Sequence, residues 1–222
     1  MNTELIYLDH AAATPLDERV LSAMQPYFSE LFFNPSSPYK PALDVRHAYE
    51  AAKNSLAHNI GVKGDELVMT AGATESINLL FSSIDGHIVT STVEHDAVLR
   101  AVERHEYSLV KVDERGRVDP MDIKQAIQPD TQLVSIQLAN NELGTIQPLR
   151  DIAIIVKAER QSRLEQGNYT PIYFHSDASQ GAGQFDINVA RFGVDAITLN
   201  AGKVYGPKQV GLLWADRQLR LI

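Results

Sequence analysis

Tyr173-Phe174-His175-Ser176-Asp177-Ala178-Ser179-Gln180 and Leu199-Asn200-Ala201-Gly202-Lys203-Val204-Tyr205-Gly206-Pro207-Lys208 are the two stretches on which the reading of this chain turns. Each begins as an apolar run and ends in a functional group. A carboxylate, Asp177, closes the first. A primary amine, Lys203, follows a small-residue turn in the second. The two lie 26 residues apart (203 minus 177). A carboxylate and an amine held at neighbouring strand ends suit a pyridoxal phosphate site. The amine forms a Schiff base with the aldehyde, and the carboxylate keeps the pyridine nitrogen protonated, which makes the ring an electron sink.

Working outward from these stretches, apolar strand-like runs alternate with amphipathic helix-like segments. The pattern predicts strands at 66–70, 87–90, 108–112, 133–138, 171–175, 196–199 and 210–214. Helices are predicted at 48–60, 74–81, 97–106, 120–127 and 149–166. Such alternation argues for an α/β fold, a mainly parallel sheet flanked by helices. Ligands of these sheets bind beyond the carboxyl ends of the strands. Thr74, His95, Asn141, Asp177 and Lys203 each follow an apolar run, so all fall at that edge. Residues 9–41 differ. They hold Pro15, Pro26, Pro35, Pro38 and Pro41, and predict one helix at 18–28 between ordered loops.

Composition narrows the function classes. The 222 residues are 44% hydrophobic, enough for one sizeable core. Twenty Lys and Arg against 28 Asp and Glu give a net charge of −8. That balance disfavours nucleic acid and anionic membranes as partners. No apolar stretch approaches the roughly 20 residues of a membrane span. Met1-Asn2-Thr3-Glu4 lacks the basic-then-apolar order of a secretory signal, so a cytoplasmic location is expected. The chain contains no cysteine, which excludes disulfides and thiolate metal sites, and no metal site is expected.

Each candidate residue has a plain reading beside the chemical one. Ala73-Thr74-Glu75-Ser76 opens a helix, where free N–H groups bind phosphate, yet Thr74 also reads as a cap. His95 can stack on a cofactor ring or carry protons, although a lone loop histidine is usually solvated. Asn141 can donate to a phenolate oxygen, or it makes a turn with Asn140. Asp177 ends a strongly apolar run, where an unpaired carboxylate is costly, and otherwise reads as an N-cap. Gln180 can reach the same ligand. Lys203 lies among Gly202, Gly206 and Pro207, which let a ligand approach the backbone, and otherwise is an exposed loop lysine. Lys208 is given no role.

Taken together, these residues resemble the cysteine desulfurases, a branch of the class V aminotransferase-like, fold type I pyridoxal phosphate enzymes. The resemblance runs from Tyr7 to about Trp214. It is carried by Tyr7-Leu8-Asp9-His10-Ala11-Ala12-Ala13-Thr14, Asn34-Pro35-Ser36-Ser37, Gly72-Ala73-Thr74-Glu75-Ser76 and Glu94-His95. Asn140-Asn141-Glu142, Asp177 to Gln180, and Lys203-Val204-Tyr205-Gly206-Pro207-Lys208 follow in the family's order. The resemblance implies the large domain of a fold type I transferase. It implies that Lys203 forms the internal aldimine and moves protons on the substrate carbon, and that Asp177 pairs with the ring nitrogen. Gln180 and Asn141 would contact the phenolate side, His95 would stack on the ring, and Ala73 and Thr74 would hold the phosphate. The implied reaction takes sulfur from L-cysteine, leaves alanine, and delivers the sulfur as a persulfide to iron–sulfur cluster and thio-cofactor assembly. A homodimer and a sulfur-acceptor protein are the implied partners.

Three departures from the family pattern shape the expectation. Asn200, Ala201 and Gly202 stand where a serine and a histidine usually help with phosphate, so Asn200 is left as the cofactor-binding side chain there. The resemblance divides the chain into an N-terminal cleft segment, 1–45, and a cofactor-binding large domain, 46–222. The small C-terminal domain, with its substrate-carboxylate arginine, is expected to be absent, and with it the loop that carries the acceptor cysteine. Other class V chemistry, a carbon–sulfur lyase or an aminotransferase, needs no acceptor cysteine. A non-catalytic scaffold that kept the fold is the remaining alternative, against which Lys203, Asp177, Gln180 and His95 argue.

Overall fold

The structure, a computed structural model, describes residues 5–221; the Met1–Glu4 reading lies outside them. Seven strands form one sheet among the described residues. They are β1 (Leu67–Thr70), β2 (His87–Ser91), β3 (Tyr107–Val110), β4 (Thr131–Ser135), β5 (Tyr173–Asp177), β6 (Ala196–Asn200) and β7 (Gly211–Ala215). Their spatial order is β1-β7-β6-β5-β4-β2-β3. The pairs β2–β3, β2–β4, β4–β5 and β5–β6 are parallel, whereas β7 runs antiparallel to both β1 and β6. The mainly parallel sheet expected from the alternation is therefore present, with one reversed strand.

Both faces of the sheet are covered, which is why its strands read as unbroken apolar runs rather than alternating ones. Successive residues enter opposite cores. Val89, Val134, Ile197, Leu212 and Trp214 join one side, and Ile88, Leu133, Ala196 and Leu213 the other. The first core is closed by α3 (Lys40–Ile60), α6 (Pro120–Ala126) and α7 (Leu149–Glu165), through Ala57, Ile123, Ile152 and Val156. The second is closed by α4 (Ala73–Ser82) and α5 (Asp96–Val102), through Ile77, Phe81, Val98 and Val102. Val189 of the short α8 (Val189–Phe192), in the crossover from β5 to β6, seals the first core.

Several predicted boundaries shift for identifiable reasons. The single helix expected at 18–28 is two, α1 (Glu18–Met24) and α2 (Pro26–Ser29), because Pro26 has no N–H to continue the first and instead starts the second. Helix α3 starts at Lys40, eight residues before the predicted Ala48, since Pro41 sits in its first turn, where no N–H is needed. Helix α5 ends at Val102 rather than Glu106. The run 133–138 is a regular strand only to Ser135, although Ile136 and Leu138 still donate to the carbonyls of His175 and Asp177.

A polar cross-tie runs through the sheet centre. His175, fully buried on β5, meets Ser135 Oγ through Nδ1 at 2.9 Å and Thr198 Oγ1 through Nε2 at 3.0 Å. It links three adjacent strands just behind the strand ends. Burial pushes its pKa down to about 3, so the folded chain keeps it neutral. The unfolded histidine takes up a proton below about pH 6.5. This residue's contribution is thus complete above pH 6.5 and is lost as pH falls from there toward 3. At pH 5 the loss amounts to about 2 kcal/mol. Urea denaturation at pH 8 and pH 5 should show the wild type losing about that much more than His175→Gln between the two conditions. An equal loss in both proteins would contradict a neutral, buried His175.

Candidate active site

The cleft at the carboxyl ends of the strands gathers the residues singled out in the sequence. Ala73, Thr74, His95, Asn141, Asp177, Gln180, Asn200 and Lys203 all line one cavity of about 120 Å³, together with Gln137 and Ser179. A larger groove of about 890 Å³ lies along α7 and α8, and none of these residues lines it. The candidate residues therefore share the smaller cavity, at the strand ends.

Each side chain arrives there through its own local structure. On the β1 side, Gly72 precedes α4 with φ of +141°, a conformation that only glycine adopts readily. β7 passes so close that a Cβ at Gly211 would lie 2.7 Å from the Gly72 Cα. No side chain caps α4, so the first-turn amides of Ala73 and Thr74 stay available at the cavity. The capping reading of Thr74 gives way: Gly72 is the N-cap, and Thr74 is the second residue of the helix.

After β2, His95 is the N-cap of α5, its Nδ1 accepting from the Ala97 N–H at 3.1 Å. That bond leaves the ring proton on Nε2. After β4, the turn is made by Asn140, not Asn141. Asn140 Oδ1 accepts from the amides of Glu142 at 2.8 Å and Leu143 at 2.7 Å. Asn141 is thereby left to line the cavity.

Asp177 ends β5 in a buried position, and no helix starts there for it to cap. Its Oδ1 accepts the Ser179 N–H at 3.0 Å. No described residue forms an ion pair with it. A buried carboxylate without a cation is unfavourable, and the nearby Lys203 does not neutralise it by contact. Ser179, beside it, is buried with a hydroxyl that finds no partner.

Lys203 closes the turn after β6. Asn200 caps that turn by accepting the Gly202 N–H at 3.0 Å. The Lys203 ammonium donates to the carbonyls of Ala11 at 2.7 Å and Ala12 at 2.9 Å, and Gln180 Nε2 donates to the same Ala11 oxygen at 2.9 Å. The N-terminal strap thus lies over the amine. The strap is fastened by Thr14, whose hydroxyl donates to the Gly202 carbonyl and accepts from the Tyr205 N–H. Tyr205 itself has φ of +60°, a conformation costly for a non-glycine residue. Lys208, given no role in the sequence, also holds the strap by donating to the Thr14 carbonyl.

The sequence reading missed Gln137 and Ser179 of the cavity wall and, just behind it, Glu94. Ser179 lay inside a quoted motif but had no assigned part. Glu94 is a carboxyl group buried between the exits of β2 and β4, with a pKa raised to about 8 by burial and by Asp177. Its proton affinity favours the fold at low pH, and that help fades as pH rises from 4.5 toward 8, opposite in sign to His175. A carboxyl group three residues after β2 and next to His95 was the available signal.

Among known proteins, the family described as "Aminotransferase class-V" matches residues 6–221. The chain belongs to that family. The curated relatives it matches include cysteine desulfurases. The cysteine desulfurase IscS of Dictyoglomus turgidum is 42% identical, over 97% of this chain and 55% of its own length. A putative cysteine desulfurase, IscS 1 of Bacillus subtilis, is 36% identical, over 98% and 58%. The chain thus spans little more than half the length of these relatives. Among solved structures, a NifS-like protein superposes with a TM-score of 0.90 at 31% identity, covering 98% of this chain and 60% of that one. SspA in complex with cysteine gives 0.84 at 34%, covering 95% and 61%.

The unpaired Asp177 gives a direct expectation for the protein without ligand. Asp177→Asn keeps the shape and removes the charge, so it should raise the stability of the ligand-free chain by about 1 kcal/mol in urea denaturation. A clear loss of stability would mean that the carboxylate has a cationic partner in the ligand-free protein.

Proposed function

We propose that this cavity holds pyridoxal 5'-phosphate on Lys203, and that the chain is the cofactor-binding part of a cysteine desulfurase acting on L-cysteine or a related amino acid. The observation that carries the reading is Asp177: a buried carboxylate, without a cation, in the same cavity as a primary amine. A protonated pyridine nitrogen supplies the missing cation. The rest of the donor set fits the same group. The free amides at the start of α4, with the Thr74 hydroxyl, suit a phosphate. Asn141 and Gln180 carry amide donors for a phenolate oxygen, and Asn200 adds another polar side chain to the wall. The His95 ring suits stacking, and the orphan Ser179 hydroxyl gains a polar neighbour. Bound there, the cofactor supplies an electron sink for substrate carbanion chemistry.

In this reading the chain's own groups have distinct tasks. Asp177 holds the ring charge. Lys203, released from the Ala11 and Ala12 carbonyls, takes the cofactor covalently and later moves the proton at the substrate Cα. The N-terminal segment, 1–45, forms a rim of the cleft, and residues 46–222 form the cofactor-binding domain. A homodimer, a sulfur-acceptor partner and a cytoplasmic location belong to the same proposal.

The sulfur balance fixes what else is required. L-cysteine and a thiol, RSH, give alanine and RSSH: the cysteine C–S bond breaks and an S–S bond forms. No residue of this sequence supplies the thiol. The acceptor must come from outside these 222 residues. A second reading, a carbon–sulfur lyase, needs no acceptor thiol: L-cysteine and water give pyruvate, ammonia and sulfide.

Purified chain mixed with the cofactor should turn yellow, and borohydride should fix the label on Lys203. Lys203→Ala should abolish that adduct, and labelling at Lys208 instead would overturn the assignment. Asp177→Ala removes one member of a desolvated ion pair, a loss of about 3–5 kcal/mol, so affinity should fall about a hundredfold or more. An affinity within threefold of wild type would remove Asp177 from the role.

Product analysis separates the two chemistries. With L-cysteine, the loaded chain should form alanine only when a thiol acceptor is added. Pyruvate formed without any thiol would establish the lyase reading instead.

A further inference from the structure

Glu94 lies outside the cavity lining, yet it joins the two walls that carry His95 and Asn141. Its carboxyl accepts the Ser91 hydroxyl at 2.6 Å and the Gln137 amide through both oxygens, at 3.1 and 3.0 Å. The residue before it, Val93, gives its carbonyl to two donors from the β4 exit, Gln137 Nε2 at 2.6 Å and Asn140 Nδ2 at 2.9 Å. Five bonds therefore stitch the segment after β2, partly within itself, to the segment after β4, beyond the last regular strand residues. On one side of this seam the chain runs directly into His95, and on the other into Asn141.

A carboxyl group is an expensive way to fill a buried gap. An apolar side chain would avoid the desolvation, and one hydrogen bond would not offset it. Ionised, above its raised pKa of about 8, the carboxyl offers something an apolar residue or an amide does not: two acceptor oxygens for one backbone N–H, with capacity left for a hydroxyl. Glutamine would turn a donor toward the Gln137 amide in place of one of those acceptors. The group thus fixes a distance between strand exits where the ladder has ended.

We propose that Glu94 is a positioning residue that sets the ring plane of His95 and the placement of Asn141 against the cofactor. This rests on the reading of the cavity as a pyridoxal phosphate site. Glu94 touches neither cofactor nor substrate in this account; it acts through the backbone of its neighbours.

The test uses the full chain loaded with pyridoxal phosphate at about pH 9, where the Glu94 carboxyl is ionised, with wild type in every series. Wild-type loading and reducible labelling of Lys203 establish the site, so their failure would reject the site itself rather than the role of Glu94. Glu94→Gln and Ser91→Ala are then compared by cofactor titration and by the induced circular dichroism of the bound cofactor, which reports its orientation. Glu94→Gln is expected to weaken loading about tenfold and to reduce the dichroic band per bound cofactor, while the thermal midpoint stays well above the assay temperature. Ser91→Ala, which removes one donor to the same carboxyl, should shift both readings in the same direction by less. If Glu94→Gln does not fold, Ser91→Ala decides alone. A folded variant with loading within twofold of wild type and an unchanged band per bound cofactor would overturn the proposal, because a purely structural glutamate would change the midpoint and leave the bound cofactor's signal untouched.

Discussion

The buried charge of Asp177 is the constraint on which the site depends. It ends β5, the middle strand of the sheet, with its backbone carbonyl engaged by the Leu138 amide and one carboxylate oxygen engaged by the Ser179 amide. Everything behind it is apolar or neutral. The His175 cross-tie, two residues earlier on the same strand, is held in its neutral form by burial. A cation that would neutralise the carboxylate is therefore excluded from below and admitted only from the cleft. In the proposed reading, that opening takes a positively charged heterocycle.

The remaining elements fix groups around that charge by close backbone approach and by hydrogen bonds from side chains to the backbone. Gly72 and Gly211 allow β1 and β7 to come together and α4 to begin at the cavity edge. Asn140 makes its turn alone and so frees Asn141. Thr14 and Lys208 tie the strap across the turn of Lys203, and the strap carbonyls of Ala11 and Ala12 accept from the Lys203 amine. The cavity is in this sense assembled from strand exits, turns and one strap, each with its own local cause.

The legible part of this arrangement was what repeats. Runs such as Leu133 to Leu138 and Ala196 to Leu199 gave the α/β class because a doubly covered sheet demands apolar residues on both faces. The edge at which Thr74, His95, Asn141, Asp177 and Lys203 would gather followed from that class. What local patterns could not give was non-local. The antiparallel insertion of β7 between β1 and β6 depends on packing across more than 140 residues, as in the Leu67–Trp214 pair. The strap over Lys203 joins residues more than 190 apart. Pro41 misled because a proline inside a first helical turn looks, in sequence, like one in a loop. Glu94 was passed over because a carboxylate beside a histidine draws attention to the histidine.

The most direct measurement of the central claim is the nitrogen-15 chemical shift of ring-labelled pyridoxal phosphate bound to this chain. A buried Asp177 requires the ring nitrogen to carry a proton, so the wild type should give a pyridinium shift at neutral pH, and Asp177→Asn should give that of a neutral pyridine. A neutral ring nitrogen in the loaded wild type would contradict the account.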